Sequence, residues 1–250
     1  MRKLLLLSVC SLTAILSGCS DNALHDSFSQ YKNQTAAQLY QSSMVDLQKG
    51  HDDSAVERLE ALNALYPFGA YAEPGLINLT YAYYKNDDDE EALATADRYL
   101  RLYPQGQYAD YAYYMRGVIS FLEGFTWLQK KADINPAPMD LTSLNTAYLS
   151  FNELVHAFPN SAYQQDSLAR MHYIRNLFAE KELGIAKFYY ERKAYVAAIN
   201  RASNVLVHYN RTPSIIPALK IMIGSYNALG MTEKANASKQ MLQASFPNIT

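Results

Sequence analysis

From Thr35 onward, apolar residues recur at helical spacing in short runs, and the runs end repeatedly at an aromatic residue followed by proline. Leu39, Met44 and Leu47 mark one face of a first helix that Gly50 ends. Ala55, Leu59, Leu62 and Leu65 mark a second, capped by Asp52 or Asp53 and stopped by Pro67, with Gly69 allowing the turn. The layout then repeats. Residues 72–85 form the next helix, with Pro74 in its first turn, where a missing N–H is harmless. Residues 87–91 form a polar turn, and the following helix closes at Tyr103-Pro104. A hairpin of two such helices has nothing to cover its apolar face, so it must be stacked on further hairpins.

The register of the repeats supports the stack. Ala55, Ala92, Ala147 and Ala235 each precede a closing proline (Pro67, Pro104, Pro159, Pro247) by twelve residues, and Ala198 precedes Asn210 by the same distance. An alanine in the second helix and a proline at the end resemble the tetratricopeptide pattern. Five registered matches predict an all-α superhelical solenoid of about five tetratricopeptide helix-turn-helix repeats, above the roughly three needed for stability. The expected units are residues 35–67, 68–104, 105–160, 161–210 and 211–250. The third carries an insertion over about residues 123–140: helix A at about 108–122, containing Gly117, then a loop in which Pro136 and Pro138 forbid helix, then helix B at about 141–157. In the fourth, the extra length lies in helix A, residues 161–193, one helix of about 48 Å. The fifth starts near Pro213–Pro217 and turns at Gly230.

The N-terminus reads as an address. Arg2 and Lys3 precede the apolar run Leu4–Leu16, and Leu16-Ser17-Gly18-Cys19 resembles the processing site of bacterial lipoproteins. On that reading residues 1–18 are a signal peptide, and Cys19 carries a diacylglycerol and an N-acyl chain, the only covalent group expected; no cofactor is. Several chains anchor stably where one binds marginally. Ser20, in place of Asp, resembles lipoproteins sent on to the outer membrane. Residues 19–34 lack periodicity and are expected to be a lipidated flexible tether. Cys10 leaves with the signal, so no thiol remains for a disulfide or metal. Without Arg2 and Lys3, the remaining 20 basic residues face 24 acidic ones, which gives no support for nucleic-acid binding.

Catalytic chemistry is missing. There is no phosphate loop, no G-x-S-x-G and no H-E-x-x-H; the five histidines are scattered, and no paired carboxylates have acid/base spacing. The acidic run Asp87–Glu91 lacks the glycine and alternation of a calcium loop and suits a helix N-terminus. No catalytic or metal site is assigned, and the expected function is binding. The 21 tyrosines show where. In tetratricopeptide stacks helix A lines the concave face. In this register that face presents Tyr40 and Met44, then Ile77, Tyr81 and Tyr84, then Tyr111, Tyr114 and Phe121. Such rings suit an extended or aromatic-rich peptide; rings that fill the seam between repeats are the other reading of any single tyrosine. Lys181, Lys187, Arg192, Lys193 and Arg201 concentrate basic charge around the long helix, either as a solvated face or as a dock for an acidic domain.

Tyr66-Pro67-Phe68-Gly69, Tyr81-Ala82-Tyr83-Tyr84-Lys85-Asn86, Tyr114-Met115-Arg116-Gly117, Phe158-Pro159-Asn160-Ser161 and Ala197-Ala198-Ile199-Asn200-Arg201 closely resemble the BamD family of outer-membrane assembly lipoproteins. The resemblance covers residues 35–247. It implies a non-enzymatic scaffold of the β-barrel assembly machinery, anchored in the outer membrane and facing the periplasm. Its N-terminal repeats would receive the targeting signals of unfolded barrel proteins. Its C-terminal repeats would dock on the periplasmic domains of BamA, with BamC and BamE as further partners. Tyr66 and Phe68 fall at the family's substrate-end motif. Arg201 falls at its BamA-contacting arginine, with Lys187, Arg192 and Lys193 in the same basic region. Charge reversal at Arg201 is expected to weaken BamA binding and leave the fold intact. The Asp87–Glu91 turn and the insertion around Trp127 depart from the family pattern, the latter at the face expected to meet BamC. A different periplasmic repeat lipoprotein, associated with peptidoglycan, is the alternative.

Overall fold

The computed structural model describes residues 28–130 and 141–247, with side chains described outside 125–130. Among the described residues there are ten α-helices and no strand. They are α1 (Ala36–Lys49), α2 (Asp52–Leu65), α3 (Ala72–Lys85), α4 (Asp89–Leu102), α5 (Ala109–Lys130), α6 (Thr142–Ala157), α7 (Gln164–Glu191), α8 (Tyr195–His208), α9 (Ile215–Ala228) and α10 (Thr232–Ser245). Each helix packs on the next, and the first helices of successive hairpins touch as well: α3 with α5 and α7 with α9. This is the tetratricopeptide arrangement. The registered alanines are the contact points, with Ala55, Ala92, Ala147 and Ala198 at 0% exposure and Ala235 at 3%.

The turns repeat as faithfully as the helices. Helices α2, α4, α6, α8 and α10 each end on an aromatic residue (Tyr66, Tyr103, Phe158, Tyr209, Phe246) whose amide closes the last helical hydrogen bond. At the other edge, each A-to-B turn outside the third unit passes through one left-handed residue: Gly50, Asp87, Lys193 or Gly230, with φ of 73°, 60°, 59° and 73°. Glycine adopts that conformation freely; Asp87 and Lys193 hold it under strain.

Four expectations need correction. The cap of α2 is His51, and Asp52 and Asp53 lie in the first turn, where they complement the helix dipole without a capping bond. Residues 28–34 are not tether. Ser29–Tyr31 form a 3-10 turn, Tyr31 is buried against α2 at 6% exposure, Gln30 donates to Glu57, and the Tyr66 hydroxyl donates to the Gln34 carbonyl at 2.7 Å. Helix α5 continues to Lys130, well past the expected end at Leu122, because no proline stands before Pro136. Helix α7 is one continuous helix of 28 residues, about 42 Å rather than 48 Å. The signal peptide, Cys19 and the insertion at 131–140 lie outside the described residues.

Candidate functional site

Two aromatic clusters lie along the first helices of units one to four. The first forms where α1 meets the start of α3: Tyr40 and Tyr71 lie 5.3 Å apart, and the Tyr40 hydroxyl accepts from Asn78 at 3.2 Å. The second joins α3, α5 and α7. Tyr111 lies 5.3 Å from Tyr163, and Tyr163 stacks on Tyr114 at 4.5 Å with ring planes 20° apart. Tyr81 and Tyr84 pack beside Tyr111. The Tyr114 hydroxyl donates to Asp166, which Arg170 holds in turn. These rings are partly buried, so the surface is apolar in body and polar at its hydroxyls.

The seams between units hold this surface in place. Glu73, in the first turn of α3, accepts from the buried Tyr99 hydroxyl at 2.7 Å and from the Gln107 amide at 2.9 Å. The Tyr99 oxygen accepts from the Tyr108 amide at 3.1 Å. A Cβ on Gly106 would collide with this group. One unit later Asp110 accepts from Ser161 at 2.7 Å, and the Ser161 hydroxyl accepts from the Tyr163 amide at 3.2 Å. In units two and three an acid near the start of the A helix thus grips the loop leading into the next unit, and that loop sets a tyrosine onto the surface.

Burial pushes the hydroxyls of Tyr40, Tyr111, Tyr114 and Tyr163 above the usual tyrosine value of 10.0. Tyr163, then Tyr81, Tyr114 and Tyr84 add to this at Tyr111. A folded value above the unfolded one means stability that is complete below about pH 10 and lost as pH rises through the folded values. Alkaline titration is therefore expected to release tyrosinate together with loss of helical circular dichroism. Full tyrosine ionisation with the helical signal retained would contradict the buried placement.

The basic end is built differently. Arg201 pairs with Glu182 at 3.2 Å, and Asn204 donates to the same carboxylate. Beside the pair is a cleft of about 460 Å³ lined by Leu141, Thr142, Asn145, Phe178, Lys181, Glu182 and Tyr209. Lys187, Arg192 and Lys193 are exposed at the far end of α7, where the Arg192 guanidinium lies 3.6 Å over Phe188. Among the described residues no group of three or more His, Cys, Asp or Glu is placed to hold a metal ion, and no helix is long and apolar enough to cross a membrane.

The outer membrane lipoprotein family YfiO matches residues 32–241 of the chain. The outer membrane protein assembly factor BamD of Vibrio cholerae is 37% identical over 207 residues, 83% of this chain and 86% of that protein. The BamD of Haemophilus influenzae is 34% identical over 98% of this chain and 91% of its own length, and that of Neisseria meningitidis serogroup A 34% over 99% and 92%. The chain belongs to the BamD family.

Against the BamD-family expectation, the structure brings some residues together and separates others. Tyr40, Tyr81, Tyr84, Tyr111 and Tyr114 share the A-helix surface. Ile77 does not: it is 2% exposed in the seam with Leu76, Tyr99, Leu100, Ala109 and Ala112, because α5 packs over that side of α3. Tyr66 faces the first core and is tied to Gln34, while its motif partner Phe68 stands 88% exposed at the loop tip and makes no ring contact among the described residues. The basic set divides into Arg201 at the Glu182 cleft and Lys187, Arg192 and Lys193 beyond it.

Sequence reasoning missed Tyr71 and Tyr163 on the surface and Tyr108 in the seam. A signal was available: each lies four residues after a closing proline, in Pro67-Phe68-Gly69-Ala70-Tyr71, Pro104-Gln105-Gly106-Gln107-Tyr108 and Pro159-Asn160-Ser161-Ala162-Tyr163.

Proposed function

We propose that this BamD-family chain is a non-enzymatic scaffold of the outer-membrane β-barrel assembly machinery, held by acyl chains on Cys19 and facing the periplasm. It receives the C-terminal targeting segments of unfolded barrel proteins on the aromatic surface of units one to four. It docks on the periplasmic domains of BamA through units four and five, with BamC and BamE as further partners. The tyrosine ladder carries this reading. An extended, aromatic-terminated segment has two clusters of partly buried rings to lie against, and rigid rings give contact area at small entropic cost. Relatives alike over nearly their whole length are named as assembly factors, which supports the setting.

Tyr163 is the test position, because it joins two units and stacks on Tyr114. Tyr163→Ala is expected to weaken binding of a synthetic barrel-protein C-terminal peptide about tenfold or more, and Tyr163→Phe to restore most of it. Equal affinity of the alanine variant and the parent by calorimetry would sink the ladder as the receiving surface.

A further inference from the structure

The two edges of the stack differ in charge. One edge carries the A-to-B turns, and in units one and two these are acidic on balance: Asp52 and Asp53 against Lys49, then Asp87, Asp88, Asp89, Glu90 and Glu91 against Lys85. The other edge carries the loops between units, and the three covering residues 67–71, 104–108 and 159–163 contain no charged residue at all. The nearest charges along that edge are basic (Lys32, Arg101 and Arg211) or are acids with partners: Glu73 and Asp110 in the seams, and Asp166, beside the third of these loops, which pairs with Arg170. On this edge Pro67, Phe68, Gly69 and Ala70 are all exposed, with Phe68 at 88%. An aromatic ring so exposed at an uncharged loop tip has no role in the fold.

The chain also enters at this edge. Tyr66, next to the Pro67–Ala70 tip, fastens Gln34 by its hydroxyl, and Phe28 and Tyr31 pack in the same cluster as Tyr66 and Tyr71. Only eight residues, 20–27, separate Phe28 from Cys19. Fully extended, that stretch spans about 30 Å, which sets a short leash between any lipid on Cys19 and the Phe68 loop.

We infer that the inter-unit loop edge of units one and two docks on the bilayer that holds Cys19, with Phe68 seated at the headgroup–acyl boundary. This rests on the acylated-Cys19 reading. A leaflet containing anionic headgroups repels the acidic edge and accepts the uncharged one, so charge sets the orientation and the short leash limits the distance. Phe68 is then a membrane-contact residue rather than part of the peptide surface. The tyrosine ladder, on the sides of the A helices, is left free.

The test uses the lipidated protein beginning at Cys19 in phosphatidylethanolamine–phosphatidylglycerol vesicles, with Trp127→Phe as background so that a single introduced tryptophan reports. Phe68→Trp is compared with Lys49→Trp, at the opposite edge of unit one. Shallow nitroxide-labelled lipid is expected to quench the Phe68→Trp protein at least about twofold more than the Lys49→Trp protein, and the emission of the former is expected to be blue-shifted. Equal, water-like emission and quenching in both variants, in protein that floats with the vesicles and carries acyl groups by intact mass, would overturn the docking and leave the anchor standing. Protein with no acyl mass on Cys19 that fails to float would overturn the anchor and the docking together. A Phe68→Trp signal that ignores lipid but responds to the barrel-protein C-terminal peptide would overturn the docking and return Phe68 to the peptide surface.

Discussion

Phe151→Ala is expected to destabilise the protein by about 3–5 kcal/mol and to split its unfolding into two steps. Phe151 lies on α6 at 0% exposure, in one cluster with Val118 of α5, Leu144 and Ala147 of α6, and Met171 and Ile174 of α7. That cluster spans three consecutive helices and is where the third unit meets the fourth. The space Phe151 fills is matched from the other side: Gly117 faces its ring so closely that a Cβ there would collide with it. Truncation leaves a cavity that two rigid helices close only in part. In a linear stack, stability is a sum of unit and interface contributions, so weakening one interface uncouples what lies on either side. Urea unfolding followed by circular dichroism checks this. A single transition at the parent midpoint would show that the interface does not depend on Phe151.

Arg201→Glu is expected to cost about 1 kcal/mol of stability, which has to be separated from any loss of partner binding. The arginine has a partner within the chain: its side chain is 42% exposed, and Glu182, 18% exposed, holds it at 3.2 Å. Reversal sets two carboxylates against each other, with Asn204 still donating to Glu182. Lys187→Glu, on the exposed end of α7, is expected to leave the melting temperature unchanged within error. Melting curves together with affinity for BamA periplasmic domains separate the two effects. Loss of affinity in Lys187→Glu at constant stability places the dock at the end of α7. An Arg201→Glu variant as stable as the parent would remove the Glu182 pair from the stability of unit four.

The repeat fold was legible because each hairpin is a local object: apolar spacing, a closing aromatic-proline pair and an alanine twelve residues earlier lie within a single unit. What lies between units was less legible. Ile77 shares a helical face with Tyr81 and Tyr84 by spacing alone, and only the neighbouring α5 decides that it is covered fully while they are covered in part. Tyr71, Tyr108 and Tyr163 stand where the helical period has stopped or is just starting, so a search by period passes over them. Tyr66 and Phe68 are two residues apart on the same turn, yet one points into the first core and the other into solvent. The end of α5 was misplaced because a helix continues until something stops it, and from Glu123 to Lys130 nothing does.

The seams also give the stack a direction. At the second-to-third and third-to-fourth joints, a carboxylate (Glu73, Asp110) takes hydrogens from the loop ahead. At the fourth-to-fifth joint the polarity is reversed: Arg175, midway along α7, donates to the carbonyls of His208 and Asn210 at 3.3 Å. The hairpins are alike in outline but not interchangeable, because a carboxylate in place of Arg175 would face the carbonyl oxygens of His208 and Asn210. Shuffling or duplicating repeats therefore breaks the joints before it breaks the helices. Any lengthened or shortened version of this scaffold has to be cut at the joint whose chemistry it keeps.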